Sequence, residues 1–261
     1  MILKKGSKGN EVKELQRALH VSPQDGIFGQ KTEDAVKAFQ RSKSLVADGI
    51  VGSKTWSLLF QNEEESIAIT KAYINTHITR LGNRQIKYIA VHYTAGSTSK
   101  KGTALNTRNV FLKRSASADF VVDDGSIVQV NPDLKNYYCW SVGDKKNVYS
   151  NGGRLYGIAT NKNTVSIEIC SNLKKGASAS YANHVGWYFT DASLDNALKL
   201  IRYLMKKYGV QKSNVVRHYD ITGKLCPGIV GWNDANIYDN NGKSVNLKSD
   251  SSKWLAFWSR I

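Results

Sequence analysis

Two histidines and a cysteine stand far apart in this 261-residue chain, each in a short and distinctive context. His92 lies in Val-His-Tyr-Thr-Ala-Gly, and His218 and Cys226 lie in Arg-His-Tyr-Asp-Ile-Thr-Gly-Lys-Leu-Cys-Pro-Gly. Imidazole nitrogen and thiolate sulfur together suit zinc. A structural zinc site draws four protein ligands, often from paired Cys-x-x-Cys clips, and closes the coordination sphere. Three dispersed ligands leave the fourth position to water, which the metal acidifies towards neutral pH. The set therefore points to a hydrolase with Zn2+ as its cofactor. A histidine that closes an apolar strand is also a common hydrogen-bonded core residue, so the His-x7-Cys-Pro-Gly element is the more specific signal. His77 and His184 lack comparable context, and His20 falls in a separate N-terminal segment. These three read as structural or exposed.

Two further residues could serve such a centre. Glu168 sits among Val165, Ser166, Ile167 and Ile169, where an unpaired carboxylate is costly to bury. It either points to solvent from an edge strand or works as a general base beside the metal. Lys224, two residues before Cys226, is either an ordinary surface lysine or an ammonium that stabilises charge developing on a carbonyl oxygen.

The elements that must position these groups are visible in outline. Residues 1–60 contain a phrase said twice: Asp25-Gly26-Ile27-Phe28-Gly29-Gln30-Lys31-Thr32 recurs as Asp48-Gly49-Ile50-Val51-Gly52-Ser53-Lys54-Thr55. Each copy has turn chemistry followed by a helix start, with Thr32 expected as an N-cap. Val12, Leu15, Ala18 and Leu19 precede the first copy at helical spacing. Ala35, Val36, Ala38 and Phe39 follow it in the same manner, and Trp56, Leu58, Leu59 and Phe60 follow the second. Three short helices result. Residues 61–70, with Glu63, Glu64 and Glu65 in a row, form a connector, and residues 71–261 form a second domain.

In that second domain the spacing predicts a helix over 71–81, a buried strand over 86–94 carrying His92, and a helix over 103–114. Strands at 119–123 and 127–131 flank a hairpin signal at Asp123-Asp124-Gly125-Ser126. Residues 164–171 read as a strand and residues 191–208 as a long helix closed by Gly209. Its inward residues are Ala197, Leu198, Leu200, Ile201, Leu204 and Met205. Val215 and Val216 then lead into His218. The expected fold class is α/β, a mixed central β-sheet flanked by helices, preceded by a small all-α three-helix domain.

Composition narrows the class. Hydrophobic residues at 41% and aromatics at 10% are those of a globular chain with a core. No stretch approaches the ~20 apolar residues of a membrane span. The N-terminal residues lack an apolar run of ~7–15, so the expectation is synthesis in the cytoplasm without a signal peptide. The net charge of +16 favours polyanions, either nucleic acid or anionic wall polymers. Its lysines come in scattered pairs (Lys100-Lys101, Lys145-Lys146, Lys174-Lys175, Lys206-Lys207) with no arginine-rich arm, which speaks against specific nucleic-acid binding. Three cysteines make no disulfide framework; with Cys226 on a metal, Cys139 and Cys170 are either free thiols or one bridge. Oligomeric state is not legible.

The pattern from Lys4-Lys5-Gly6-Ser7-Lys8-Gly9 through Val12, Leu15, Gln16, Leu19, Phe39 and Gln40 to Thr55-Trp56 resembles the small peptidoglycan-binding module of the PG_binding_1 type. Most of residues 71–261 resembles the zinc-dependent N-acetylmuramoyl-L-alanine amidases of the amidase_2 family, related in fold to phage T7 lysozyme and the peptidoglycan recognition proteins. The resemblance is carried by Val91-His92-Tyr93-Thr94-Ala95, by Ser117-Ala118-Asp119-Phe120 with Asp123-Asp124-Gly125, by Ser166-Ile167-Glu168-Ile169, and by His218, Lys224 and Cys226. It implies that His92, His218 and Cys226 hold zinc, that Glu168 shuttles the proton, and that Lys224 steadies the tetrahedral oxyanion. The bond cut would join N-acetylmuramic acid to L-alanine. The partner implied is peptidoglycan, and the setting is lysis of the wall by an endolysin-type enzyme after its release from the cytoplasm.

The chain also departs from the pattern. Ala118-Asp119-Phe120 lacks the tyrosine that some relatives use, which leaves more of the proton work to Glu168. Ser141 stands where relatives often have histidine. The aromatic stretch at 136–140 reads either as groove lining or as core, and residues 233–252 read as an insertion or extended loop. The competing functions are a host wall-remodelling or recycling amidase, a non-catalytic peptidoglycan recognition protein and a polyanion binder. Loss of a zinc ligand would mark the recognition protein, and all three ligands are present here.

Overall fold

The computed structural model describes residues 2–61, 67–143, 145–147, 151–178, 181–239, 241, 243–248 and 250–261. The chain divides into two compact units, Met1–Ile67 and Ala68–Ile261. The acidic run at 62–66 lies outside the described residues.

The first unit holds three helices, α1 (Asn10–Ala18), α2 (Gln30–Ser42) and α3 (Ser53–Gln61). Their apolar faces, set at helical spacing, bury Val12, Leu15, Val36 and Leu59 around Phe28, with Leu3 and Val51 closing the cluster. Ala38 faces outward. The repeated phrase is a repeat of structure as well. Gln16 donates from Nε2 to Asp25 Oδ1 (2.9 Å) and Ile27 O (3.0 Å), and Gly26 N donates to Gln16 Oε1 at 2.8 Å. Gln40 makes the same bonds to Asp48 Oδ1 (2.8 Å) and Ile50 O (2.9 Å) and accepts from Gly49 N at 2.9 Å. Each buried amide thus clamps one Asp-Gly loop, whose glycine occupies the left-handed region at φ 77° or 76°.

One expectation fails here. Gly29, not Thr32, is the N-cap of α2. Thr32 lies buried inside the helix, where its hydroxyl accepts from Gln16 Nε2 at 3.3 Å, and Thr55 does the same for Gln40. The clamp takes the hydroxyl that the cap would have used.

The second unit runs β1 (Ile69–Lys71), β2 (Ile78–Arg80), β3 (Tyr88–Tyr93), α4 (Thr103–Phe111), β4 (Phe120–Val122), β5 (Ile127–Gln129) and β6 (Tyr137–Cys139). It continues with β7 (Thr164–Ile169), β8 (Asn172–Leu173), β9 (Trp187–Tyr188), α5 (Asp191–Tyr208), β10 (Val215–Arg217) and α6 (His218–Thr222). A hairpin, β11 (Asn236–Tyr238) and β12 (Ser244–Lys248), and a final helix, α7 (Ser252–Ser259), complete it. Six strands form one sheet in the order β1-β5-β4-β7-β3-β10, and only the β4–β5 hairpin is antiparallel. The sheet is therefore mixed, as expected.

The expected helix over 71–81 is not formed. Its residues supply β1 and β2, and between them Ala72 N and Ile74 N donate to Gln129 O and Val130 O, extending the pairing with β5. Four β-branched residues (Ile74, Thr76, Ile78, Thr79) suit that extended course better than a helix. The other elements fall where periodicity put them. Helix α5 spans Asp191–Tyr208, is capped by Thr190 accepting from Ser193 N at 3.2 Å, and ends on Gly209 at φ 67°. It buries the expected inward residues except Met205, which is half-buried. Part of the 233–252 insertion is the β11–β12 hairpin, tied to residues 183–185 by Tyr238 N to Asn183 O and Val185 N to Tyr238 O, each at 3.1 Å.

Parallel register decides which side chains share a face. Ala90 pairs with Ser166 and with Val216, and Glu168 pairs with His92 and with Val121, so all of these point to one side of the sheet. On that side α4 covers the β4–β5 end, where Ala104 and Phe111 pack on Val121 and Val128. Val142, Ala159 and Ile221 cover Ala90 and Val216 at the other end. His92 and Glu168 lie between these two covers. Helix α5 packs along β4, β5 and β7.

Candidate metal centre and its surroundings

His92 is the fifth residue of β3, whose apolar run is buried on both faces, and it is itself buried. His218 opens α6 directly after β10, the neighbour of β3 in the sheet, so it reaches the same end of the sheet as His92. Arg217 fixes that strand-to-helix corner. Its backbone N–H donates to Asp220 Oδ2 at 2.9 Å, and its guanidinium donates to Asp220 Oδ1 and to Trp232 O, each at 2.7 Å. Cys226 follows a tight return from α6, closed by Tyr219 N to Cys226 O (2.9 Å) and Cys226 N to Lys224 O (2.7 Å).

The three side chains converge. One ligand atom from each of His92, His218 and Cys226 lies within 4.8 Å of the others, and all three residues are buried. Cys226 Sγ is 3.6 Å from His92 Nδ1, and the two imidazole centroids are 4.7 Å apart. His218 donates from Nε2 to Val142 O at 2.8 Å, which leaves its Nδ1 as a lone-pair nitrogen. Among the described residues, neither His218 Nδ1 nor His92 Nε2 has a hydrogen-bond partner, although both are buried. Burial holds the His218 imidazole down at about 4 and pushes His92 well below the usual histidine range, so both rings are neutral at pH 7. Orphaned, neutral imidazole nitrogens beside a buried thiol are the donor set of a soft dication. The residues present fit zinc.

Glu168 stands across from His92 in the β3–β7 register. The residue is only partly buried, yet its Oε2 is enclosed and has no protein partner. Burial raises its carboxyl to about 8, against the pull of the Lys224 and Arg114 charges. Lys224 is exposed two residues from Cys226 and is close enough to lower both histidines by its charge. Burial also pushes the Cys226 thiol and the neighbouring Tyr93 hydroxyl up. The thiol of a metal-free site is therefore neutral, and loading it with a dication releases a proton.

Several contributors gave no obvious sequence signal. Arg84 and Asp119 form an ion pair at 3.1 Å with both side chains fully buried. Asp119 also accepts from Asn131 Nδ2 (2.6 Å), Ser166 N (2.8 Å) and Ser166 Oγ (3.0 Å), tying β4 to β7 two residues before Glu168. A carboxylate inside the apolar hairpin sequence Ala118-Asp119-Phe120 was the available hint, because such a group needs a partner. Val142, which orients His218, acts through its carbonyl and left no side-chain trace. Gly228 lies so close to Tyr93 Oη and Ala182 that a Cβ there would clash with both.

The competing groups sort out simply. His77 Nδ1 bonds Phe111 O at 2.7 Å, His184 is buried with Nδ1 accepting from Gly186 N at 2.9 Å, and His20 is exposed. Cys139 and Cys170 are free and buried, so no bridge joins them. In the aromatic stretch Cys139 is core, Trp140 is exposed, and Tyr138 helps to line a cavity of about 350 Å³ with Tyr156, Asn161 and Thr222. No triad residue lines that cavity. Ser141 N donates to Asn161 Oδ1 at 3.1 Å, so Ser141 belongs to the same wall as Val142. No helix of the described residues is long and apolar enough to cross a membrane.

Residues 8–59 match the peptidoglycan binding domain family. The chain is similar to the N-acetylmuramoyl-L-alanine amidase CwlL of Bacillus licheniformis, 32% identical over 151 residues, covering 54% of this chain and 36% of the relative. It is similar to the N-acetylmuramoyl-L-alanine amidase XlyA of Bacillus subtilis (strain 168), 32% identical over 143 residues, covering 54% of this chain and 39% of the relative. The chain thus spans well under half the length of these relatives. Among solved structures, the catalytic domain of XlyA aligns with a TM-score of 0.49 at 25% identity, covering 74% of this chain and 99% of that one. Residues 82–229, more than half of the chain and the span that contains all three converging side chains, match the N-acetylmuramoyl-L-alanine amidase family, and the chain belongs to that family.

Proposed function

We propose that this chain is a zinc-dependent N-acetylmuramoyl-L-alanine amidase of the endolysin type, hydrolysing the amide that joins N-acetylmuramic acid to L-alanine in peptidoglycan. The observation that carries the reading is the convergence of buried His92, His218 and Cys226 beside Glu168, with His218 Nδ1 and His92 Nε2 left unpartnered. His92, His218 and Cys226 would hold the ion. Bound there, zinc would supply Lewis acidity, polarising the scissile carbonyl and making water a better nucleophile near neutral pH.

The protein's own groups account for the remaining work. Glu168, whose ionised form a bound dication and the Lys224 charge would favour against the burial that raises its carboxyl in the metal-free protein, takes the proton of the attacking water and returns it to the departing alanine nitrogen. The Lys224 ammonium, on the exposed side of the Cys226 loop, steadies the oxygen that becomes negative as the carbonyl turns tetrahedral. Val142 keeps His218 in the tautomer that presents Nδ1. The first unit, Met1–Ile67, would hold the enzyme on intact wall. A wall-anchoring unit favours whole sacculi over the soluble fragments of a recycling enzyme.

Metal analysis of the purified protein should give about one zinc per chain. Digested sacculi analysed by mass spectrometry should yield free stem peptides with N-terminal L-alanine. New reducing sugar ends without such peptides would overturn the amide-bond assignment, and a metal-free protein that still cleaves would overturn the zinc assignment.

A further inference from the structure

The charge of this protein is divided very unevenly. Residues 1–67 carry ten basic and nine acidic side chains, whereas residues 68–261 carry twenty-seven and twelve. The wall-binding unit is thus close to neutral, and nearly all of the +16 belongs to the amidase unit. Inside that unit several acids are engaged by partners, while Asp191, Asp234 and Asp250 are exposed. Asp119, Asp220 and Asp195 are paired with Arg84, Arg217 and Arg260, and buried Asp123 accepts from Ala104 N at 2.9 Å.

Five of the eight arginines of that unit are used in the same internal way, while Arg80, Arg114 and Arg154 are exposed. Arg84 and Arg217 are buried, Arg108 donates to Ala72 O and Tyr73 O, and Arg202 donates to Arg260 O. What faces outward is chiefly lysine, a compact and strongly hydrated charge without the planar fork that grips and stacks on bases. Two lysine pairs form a ridge. Lys100-Lys101 and Lys174-Lys175 are all exposed, and the loops that bear them are joined by Ser99 N to Asn172 Oδ1 (2.9 Å) and Asn172 Nδ2 to Ser99 Oγ (2.8 Å). These loops follow β3 and β7, the parallel strands that carry His92 and Glu168, so the ridge borders the same end of the sheet as the metal centre. The nearby Asp124 has its carboxylate engaged by the Thr190 hydroxyl.

We propose that the Lys100-Lys101/Lys174-Lys175 ridge of the amidase unit is a second, electrostatic wall-binding surface whose occupant is an anionic phosphodiester polymer of the cell wall. The choice of a wall polymer rests on the amidase reading above; the binding itself requires no turnover. Hydrated ammonium groups recognise widely spaced phosphates through counterion release, with little demand on sequence or stacking. Division of labour follows: the near-neutral unit recognises the glycan–peptide mesh, and the basic unit keeps the active site against the charged polymer threaded through it.

The test uses the full chain. Lys100→Gln/Lys101→Gln/Lys174→Gln/Lys175→Gln is compared with the parent and with a control of equal charge change in the same unit, Lys113→Gln/Lys135→Gln/Lys206→Gln/Lys253→Gln, whose four lysines are also exposed but lie on separate elements. Binding to sacculi is measured from 50 to 300 mM salt, on sacculi that keep their phosphodiester polymer and on sacculi stripped of it by acid. With about 0.7 counterions released per phosphate contact, the slope of log K against log salt should become shallower by about 2–3 in the ridge variant and change little in the control. On stripped sacculi, parent and ridge variant should bind alike. Equal slopes for parent and ridge variant on polymer-bearing walls would overturn the proposal. Tighter retention on single-stranded DNA than on those walls at the same salt would overturn its occupant. Release of stem peptides from stripped sacculi is scored separately: both proteins should release them equally, and failure of both would count against the amidase reading while leaving the binding comparison intact.

Discussion

Replacing Glu168 by glutamine should have opposite effects on catalysis and on stability. The side chain keeps its shape and loses its charge. If Glu168 moves the proton, turnover on sacculi should fall by about 10²- to 10⁴-fold with zinc content unchanged. Stability of the metal-free protein should move the other way. Burial raises this carboxyl from 4.5 to about 8, so the fold prefers the protonated form. For a carboxyl raised on folding, the stability contribution is complete below pH 4.5 and is lost as pH rises towards 8. At pH 7 the loss is on the order of 3 kcal/mol, from 1.36 kcal/mol per pKa unit, and at pH 5 it is under about 1 kcal/mol. Glutamine never ionises and avoids that loss. Urea unfolding of chelator-treated protein at pH 5 and pH 7 measures the difference, and five of the six tryptophans report on residues 68–261. The variant should be more stable at pH 7 and nearly equal at pH 5. A variant that is less stable at pH 7, or one that keeps parental turnover, would refute the assignment of a buried, unpaired base.

The remaining expectations concern the supports of the site. In the Glu168→Gln background, metal-free stability should fall as pH drops from 6.5 towards 4, because His92 and His218 are held below their unfolded values and charge only on unfolding; a flat profile over that range would contradict their burial as neutral rings. Gly228→Ala should push the Cys226-Pro227 loop away from Tyr93 and Ala182 and weaken zinc binding by about 10- to 100-fold, read by competition with a chromogenic chelator. Arg84→Met should destabilise by about 3–5 kcal/mol in urea unfolding, since it strands Asp119, and the double variant Arg84→Met/Asp119→Leu should recover much of that. Gln40→Leu should leave the Gly49 N–H unpaired in the first unit and cost about 1–3 kcal/mol there, followed by hydrogen exchange at that loop.

How far the chain could be read in advance depended on whether a residue's neighbours were local. Helix α5 was legible because its periodicity and the closing Gly209 lie within one segment. The strand of His92 was legible because a run buried on both faces needs no partner to be recognised. The stretch 71–81 escapes local reading because its conformation is set by carbonyls of Gln129 and Val130, more than fifty residues away. Thr32 departs from its local propensity for the same reason: Gln16, from another helix, claims its hydroxyl.

The sequence by itself determined which residue types were present for metal and proton chemistry, the repeated loop phrase, the alternation of strands and helices, and the excess of positive charge. Tertiary structure alone decided that β3 and β10 are neighbours, which brings His92 to His218, and that β3 and β7 pair in the register that sets Glu168 opposite His92. It also decided that Arg84 and Asp119 meet, and that Arg84 and Arg217 are drawn into the interior of the larger unit. The physical reason is the same in each case. Side-chain type and local propensity are properties of a segment, whereas strand order, register and burial are settled only when distant segments compete for the same hydrogen bonds and the same apolar core.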